Sequence, residues 1–132
     1  MSSDKAFDLL YSEFKQVSAA ALWIVDENIS THIIPPAIPL ISAISNRLDT
    51  TQDLQRQGWN CHFNDYLLEN LGEHHFQSIF LRIPKEKAQA HYIINQAQRL
   101  LSGGGSLYIS GLKQEGIKGF IERAGILTNI PT

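Results

Sequence analysis

The sequence predicts a single α/β domain with a mostly parallel sheet and flanking helices. Three observations carry this expectation. Apolar runs of strand length alternate along the chain with stretches of helical period, the order that strand–helix–strand units produce. The clearest run, Ala21–Val25 (ALWIV), is apolar at every position rather than every second one, as in a strand buried on both faces. The length, 132 residues with 43% hydrophobic, fits one domain that buries a core without covalent staples.

The elements follow in order. Residues 3–17 read as a helix that Ser3 and Asp4 can cap, with Phe7, Leu10, Tyr11 and Phe14 on one stripe. ALWIV is the first strand and stops at Asp26, Glu27 and Asn28. Pro35, Pro36 and Pro39 forbid a helix interior across 30–39. The run 40–45 (LISAIS) is too short to assign by period. The prolines before it and the cap-like Asp49, Thr50 and Thr51 after it favour a strand, then a helix through Gln57 with Gly58 as its C-terminal glycine. Residues 60–63 (NCHF) read as a third strand, 66–71 as a helical turn closed by Gly72, and 76–83 (FQSIFLRI) as a fourth strand ended by Pro84. Residues 85–101 form the clearest helix, with Ala88, Tyr92, Ile93, Ala97, Leu100 and Leu101 on its apolar face. A fifth strand at 107–110 (LYIS) and a short helix at 118–124 complete one domain over 1–132, its core at about 20–125.

Composition excludes several classes. A formal net charge of −2 gives no global attraction to nucleic acid or anionic lipid, though it permits a local basic patch. The lone cysteine, Cys61, excludes an intrachain disulfide and suits a reducing compartment. The first ten residues carry acids and no long apolar core, unlike a secretory signal. No apolar run approaches the ~20 residues that span a bilayer. The expectation is a cytoplasmic chain with no membrane partner.

Gly103, Gly104 and Gly105 pose the sharpest question, since consecutive glycines can cradle a phosphate. A phosphate loop needs glycines after a strand and before a helix. Here they follow the best helix and precede a strand, so they read as a helix stop and a tight turn. The exit of the first strand, where a cofactor loop belongs, has no glycine.

The long helix ending in LLSGGGSLYIS resembles the leucine-rich helix, Pro-Gly-Gly and strand of class I S-adenosylmethionine-dependent methyltransferases. Three further pieces, in order, extend the likeness: residues 21–28; Ser45, Asn46, Arg47 and Asp49 with Gly58, Phe63, Asn64 and Asp65 beyond; and Leu81, Arg82, Ile83, Pro84 and Lys85. Together they resemble the N-terminal domain of the two-domain ribosomal RNA guanine-N2 methyltransferases, the "methyltransferase small" family, over about residues 20–125. The resemblance implies a degenerate, methyltransferase-like copy of the Rossmann-like fold. It implies that S-adenosylmethionine is held by a separate catalytic domain in cis, and that this chain holds no cofactor and methylates nothing alone. The family's catalytic half carries an Asp-x-Gly-x-Gly loop and an Asn-Pro-Pro-aromatic motif, and neither occurs here. Arg82 to Lys85 stand in the place of the latter, and neither basic side chain can accept the hydrogen bonds that hold a target amine.

Arg47, Arg82, Lys85 and Lys87 are the candidate contacts to ribosomal RNA. Strand ends in a parallel sheet share one edge, so the four could gather there against phosphate. The plainer alternative is solvated charge, with Asp49 and Glu86 close in sequence. Cys61, His62, His74 and His75 lack metal-ligand spacing, and adjacent side chains on a strand diverge, so structural or surface roles and no metal are expected. Asp26 and Glu27 could do acid–base work at a strand exit or simply shape a turn, and no partner group favours the former. Trp23 reads as core and Trp59 as partly buried.

Two function classes follow. The first is a non-catalytic domain that positions RNA or supports a catalytic domain which would begin after Thr132. The second is a stand-alone interaction or dimerisation module, with Phe120, Ile121, Ile126 and Leu127 as candidate docking residues, the alternatives being core or the surface that a catalytic domain would cover. A small enzyme using the Asp26 and Glu27 edge is a weaker third.

Overall fold

The computed structural model describes residues 5–26, 29, 34–64, 68, 71, 75–83 and 87–111, with only the backbone of Lys5 and Lys87. Their elements run α1 (Lys5–Phe14), β1 (Ala21–Val25), β2 (Ile41–Ser45), α2 (Leu48–Arg56), β3 (Asn60–Phe63), β4 (Phe76–Arg82), α3 (Lys87–Leu100) and β5 (Leu101–Ser110). The strands form one sheet in the order β3-β2-β1-β4-β5, and every pairing is parallel. The predicted α/β class with a parallel sheet and flanking helices is therefore the observed one. The turn expected at 66–71 lies largely outside the described residues, and the helix expected at 118–124 lies wholly outside them.

The order reverses at β1. From β2 the chain crosses through α2 to β3 on one side, and from β4 through α3 to β5 on the other. Right-handed crossovers in opposite directions place their helices on opposite faces. The core divides accordingly. On one face, α1 and α2 cover Trp23, Val25, Ala43, Cys61 and Phe80 with Phe7, Leu10, Phe14 and Leu54. On the other, α3 covers Leu22, Ile24, Ile44, Ile79, Leu81, Leu107 and Ile109 with Ala90, Ile93, Ile94, Ala97 and Leu100. Neighbours in β1 thus point to opposite faces and all five are buried, which is why ALWIV shows no alternation.

The α1 face is aromatic. The Phe14 ring centroid lies 4.7 Å from Phe80, 5.2 Å from Trp23 and 6.1 Å from Trp59. The proline-rich segment docks on this cluster through its carbonyls: Trp59 Nε1 donates to Pro35 O at 2.9 Å and the Tyr11 hydroxyl to Pro36 O at 3.3 Å. Trp59 is more deeply placed than its sequence context implies, at 3% exposure. The end of α2 explains this. Gly58, at φ +92°, donates its N–H to Gln55 O, and Trp59 donates to Leu54 O. This Schellman-type closure turns the indole back over the helix end.

Two expectations are corrected. The buried stripe of α3 is Ala90, Ile93, Ile94, Ala97 and Leu100, whereas Ala88 and Tyr92 are exposed. The observed set follows the i, i+3, i+4, i+7 spacing, and the anticipated one was rotated off it. The three glycines do not stop the helix. α3 ends at Leu100 and β5 begins at once, pairing Leu101 with Phe76. The next printed pair is Ser106 with Ser78, so β5 advances five residues against two on β4. The glycines fill the resulting bulge. Gly104 takes φ +78°, and a Cβ on Gly105 would sit 2.9 Å from Gln77 O. The Gln77 side chain closes the bulge through Gly104 O and the Ser102 hydroxyl.

Candidate functional site at the carboxyl edge of the sheet

In open parallel sheets, ligands bind outside the carboxyl ends of the strands, at the point where strand order reverses. Here that point lies between β1 and β4. Three polar residues terminate the strands around it, and all are buried: Asp26 beyond β1 at 4% exposure, Arg82 closing β4 at 3%, and Ser110 closing β5 at 0%. Arg82 donates from Nη1 to Ile83 O at 3.1 Å and stands in register with Ser110. Ile83 N–H extends the ladder to Ser110 O at 2.8 Å. The Ser110 hydroxyl has no hydrogen-bond partner among the described residues.

The β2–β3 corner of the same edge differs. Ser45 closes β2 and is paired with Phe63, the last residue of β3. The Ser45 carbonyl accepts the Asn64 N–H at 2.8 Å, and its hydroxyl accepts the Arg47 N–H at 3.1 Å. One serine therefore anchors both the chain leaving β3 and the chain entering α2. Arg47 is the residue before α2, and its carbonyl accepts the Thr51 N–H at 3.0 Å and the Thr51 hydroxyl at 2.8 Å. Its guanidinium grips Asp49 with two hydrogen bonds, at 3.3 and 3.1 Å. Asp49 also accepts the Thr50 N–H at 2.9 Å. The Arg47 hydrogen bond, then that of Thr50, hold the Asp49 carboxyl below the usual carboxylate range. The ion pair is open to solvent, with Arg47 and Asp49 side chains 54% and 66% exposed. Leu48, between the two in sequence, and Phe63, in register with Ser45 at the end of β3, are also exposed, at 59% and 53%.

The four candidate RNA contacts thus have different positions. Arg47 lies exposed at the β2–β3 corner. Arg82 lies at the same edge across β1, with its guanidinium buried. Lys85 lies outside the described residues, and Lys87 opens α3 with only its backbone described. Arg47 and Arg82 have equal standing in the sequence because burial at a strand end depends on what packs above it. Phe63 enters the sequence reading only as a piece of the family resemblance, and Leu48 not at all. The available signal was the polarity of NCHF, since a four-residue strand with one buried position is a sheet edge rather than its centre.

The remaining candidates are quieter. Cys61 is buried, and burial pushes its thiol up to about 11, far from a reactive thiolate. His62 meets Asn60 Oδ1 at 3.0 Å, and His75 packs edge-on against Phe76. No group of metal-ligating side chains occurs among the described residues. Glu27, His74, Phe120, Ile121, Ile126 and Leu127 lie outside them. No described helix is long and apolar enough to cross a membrane. The sequence at the exit of β1, residues 26–40, carries no glycine, and the side chains of Asp26 and Arg82 at the switch point are buried.

No curated protein and no solved structure matches the chain. A family match does exist, to the methyltransferase small domain N-terminal family, over residues 11–125. That span takes in α1 from Tyr11 and every described strand and helix after it, including both corners of the carboxyl edge. The chain belongs to the methyltransferase small domain N-terminal family.

Proposed function

We propose that this chain is the non-catalytic N-terminal domain of an S-adenosylmethionine-dependent ribosomal RNA guanine-N2 methyltransferase. It positions RNA or supports a catalytic domain carried in cis, in the cytoplasm. One observation carries the reading: a chain of this family leaves β1 as Val25-Asp26-Glu27-Asn28, with no glycine, and buries Arg82 where a catalytic relative would present its asparagine. Arginine has donors only, so it cannot accept the hydrogen bonds that orient an amine for methyl transfer.

The test pairs calorimetry with S-adenosylmethionine and a label-transfer assay on ribosomal RNA, both with this chain alone. No saturable cofactor binding and no labelled RNA are expected. Turnover by the chain alone overturns the non-catalytic reading. Retention of ribosomal RNA without turnover supports the positioning role.

A further inference from the structure

We infer that the β2–β3 corner of the carboxyl edge is a seat for single-stranded RNA, in which a base stacks on Phe63 and the adjoining phosphate is held by Arg47. The inference rests on the RNA reading above and assigns it a surface. Among the described phenylalanines, Phe7, Phe14, Phe76 and Phe80 are at most 7% exposed, whereas Phe63 is 53% exposed. A single exposed apolar residue needs no explanation. This one ends β3 in register with Ser45, whose hydroxyl accepts the Arg47 main-chain N–H, so one serine joins the backbones that carry Phe63 and the solvent-open Arg47 guanidinium. An aromatic platform next to a planar cation is the pairing that takes an unstacked base and its phosphate.

The corner fits RNA better than a protein. Phe63 and Leu48 together offer roughly a few hundred Å² of apolar surface, well short of the ~800 Å² per partner of a stable protein interface. Their neighbours Asn46, Arg47 and Asn64 supply amide and guanidinium donors suited to phosphate oxygens and base edges. Asp49 completes the argument. Its carboxylate holds Arg47 through two hydrogen bonds, the geometry in which a phosphate would bind the same fork. Asp49 is therefore a competitor for the incoming phosphate, and RNA must displace it. Removing its charge strengthens binding, while an asparagine at 49 still accepts the Thr50 N–H.

The experiment is fluorescence anisotropy of a short, fluorescein-labelled single-stranded RNA of mixed sequence, with a matched duplex as comparison, titrated with the full chain. The single strand binds more tightly than the duplex. Phe63→Ala weakens it about fivefold or more, Phe63→Leu does the same although it stays apolar, and Phe63→Trp retains it. Arg47→Ala weakens binding and lowers the salt slope by about one. Asp49→Asn tightens it. Thermal midpoints of all variants match the parent, since these side chains are exposed. If the parent binds RNA and Phe63→Ala binds equally well, this seat is wrong while the RNA reading stands. If the parent binds no RNA, both fail. If sedimentation shows self-association that Phe63→Ala abolishes and Phe63→Leu keeps, the corner is a protein contact and the inference is overturned.

Discussion

The two halves of the carboxyl edge use the same residue types for opposite ends. On the β4–β5 side, an arginine and a serine close their strands and are sealed in, at 3% and 0% exposure. On the β2–β3 side, a serine closes a strand and the arginine after it stands in solvent, paired with a carboxylate on its own helix. Arg82 spends a hydrogen bond on the main chain at Ile83, and Arg47 spends two on Asp49. A buried guanidinium organises the chain around it, while an exposed one remains available to a partner. Position in the sheet, rather than charge, separates the two roles.

Substitutions can break that contrast, and the largest effect belongs to the sealed half. Arg82→Ala removes a buried guanidinium and its bond to Ile83 O, and should cost about 3 kcal/mol in urea unfolding. A loss no greater than that of Arg47→Ala would erase the distinction.

A smaller effect comes from Cys61, one strand position below His62 and buried under the open corner. Burial raises its folded pKa from 9.0 to about 11. The folded state then holds a proton that the unfolded chain loses first. The Cys61 contribution is constant below pH about 9, declines as pH rises from there, and levels off above about 11. Urea midpoints of the parent and Cys61→Ala, compared across that range, should converge as pH rises. Parallel curves would place the thiol in water.

Ser110→Ala probes the sealed half from the other direction. Its hydroxyl is fully buried without a partner among the described residues, so removing it should leave stability unchanged or raise it by up to about 1 kcal/mol. A clear loss would reveal a hydrogen bond on that oxygen. The smallest effect is that of Arg47→Ala, whose thermal midpoint should match the parent because exposed ion pairs contribute little.

How much of this was legible in the sequence follows from what sets each feature. β1 and β3 match their predicted spans because apolar content and flanking breakers are local signals. Gly58 was legible for the same reason: a helix end needs the left-handed region, and glycine reaches it freely. The glycine run was half legible. Its order after a helix excluded a phosphate loop, but whether it capped α3 or bulged β5 depended on pairing with β4, a contact distant in sequence. The phase of α3 was missed by a fraction of a turn, since Tyr92 and Ala88 are apolar enough to pass for core when nothing shows what they face. The site was the least legible part. Arg47 and Arg82 both follow strands, and only the sheet order, with β1 between them, distinguishes an open corner from a sealed one. Phe63 belongs to the family resemblance, but nothing beyond the polarity of its strand signals its exposure.

The most direct test of the divided edge is to titrate the isotope-labelled chain with short single-stranded RNA and follow its backbone amide resonances. The account predicts shifts concentrated at residues 46–48 and 62–64, with Arg82, Ile83 and Ser110 unmoved. Shifts centred on Arg82 and Ser110, with the β2–β3 corner silent, would contradict it.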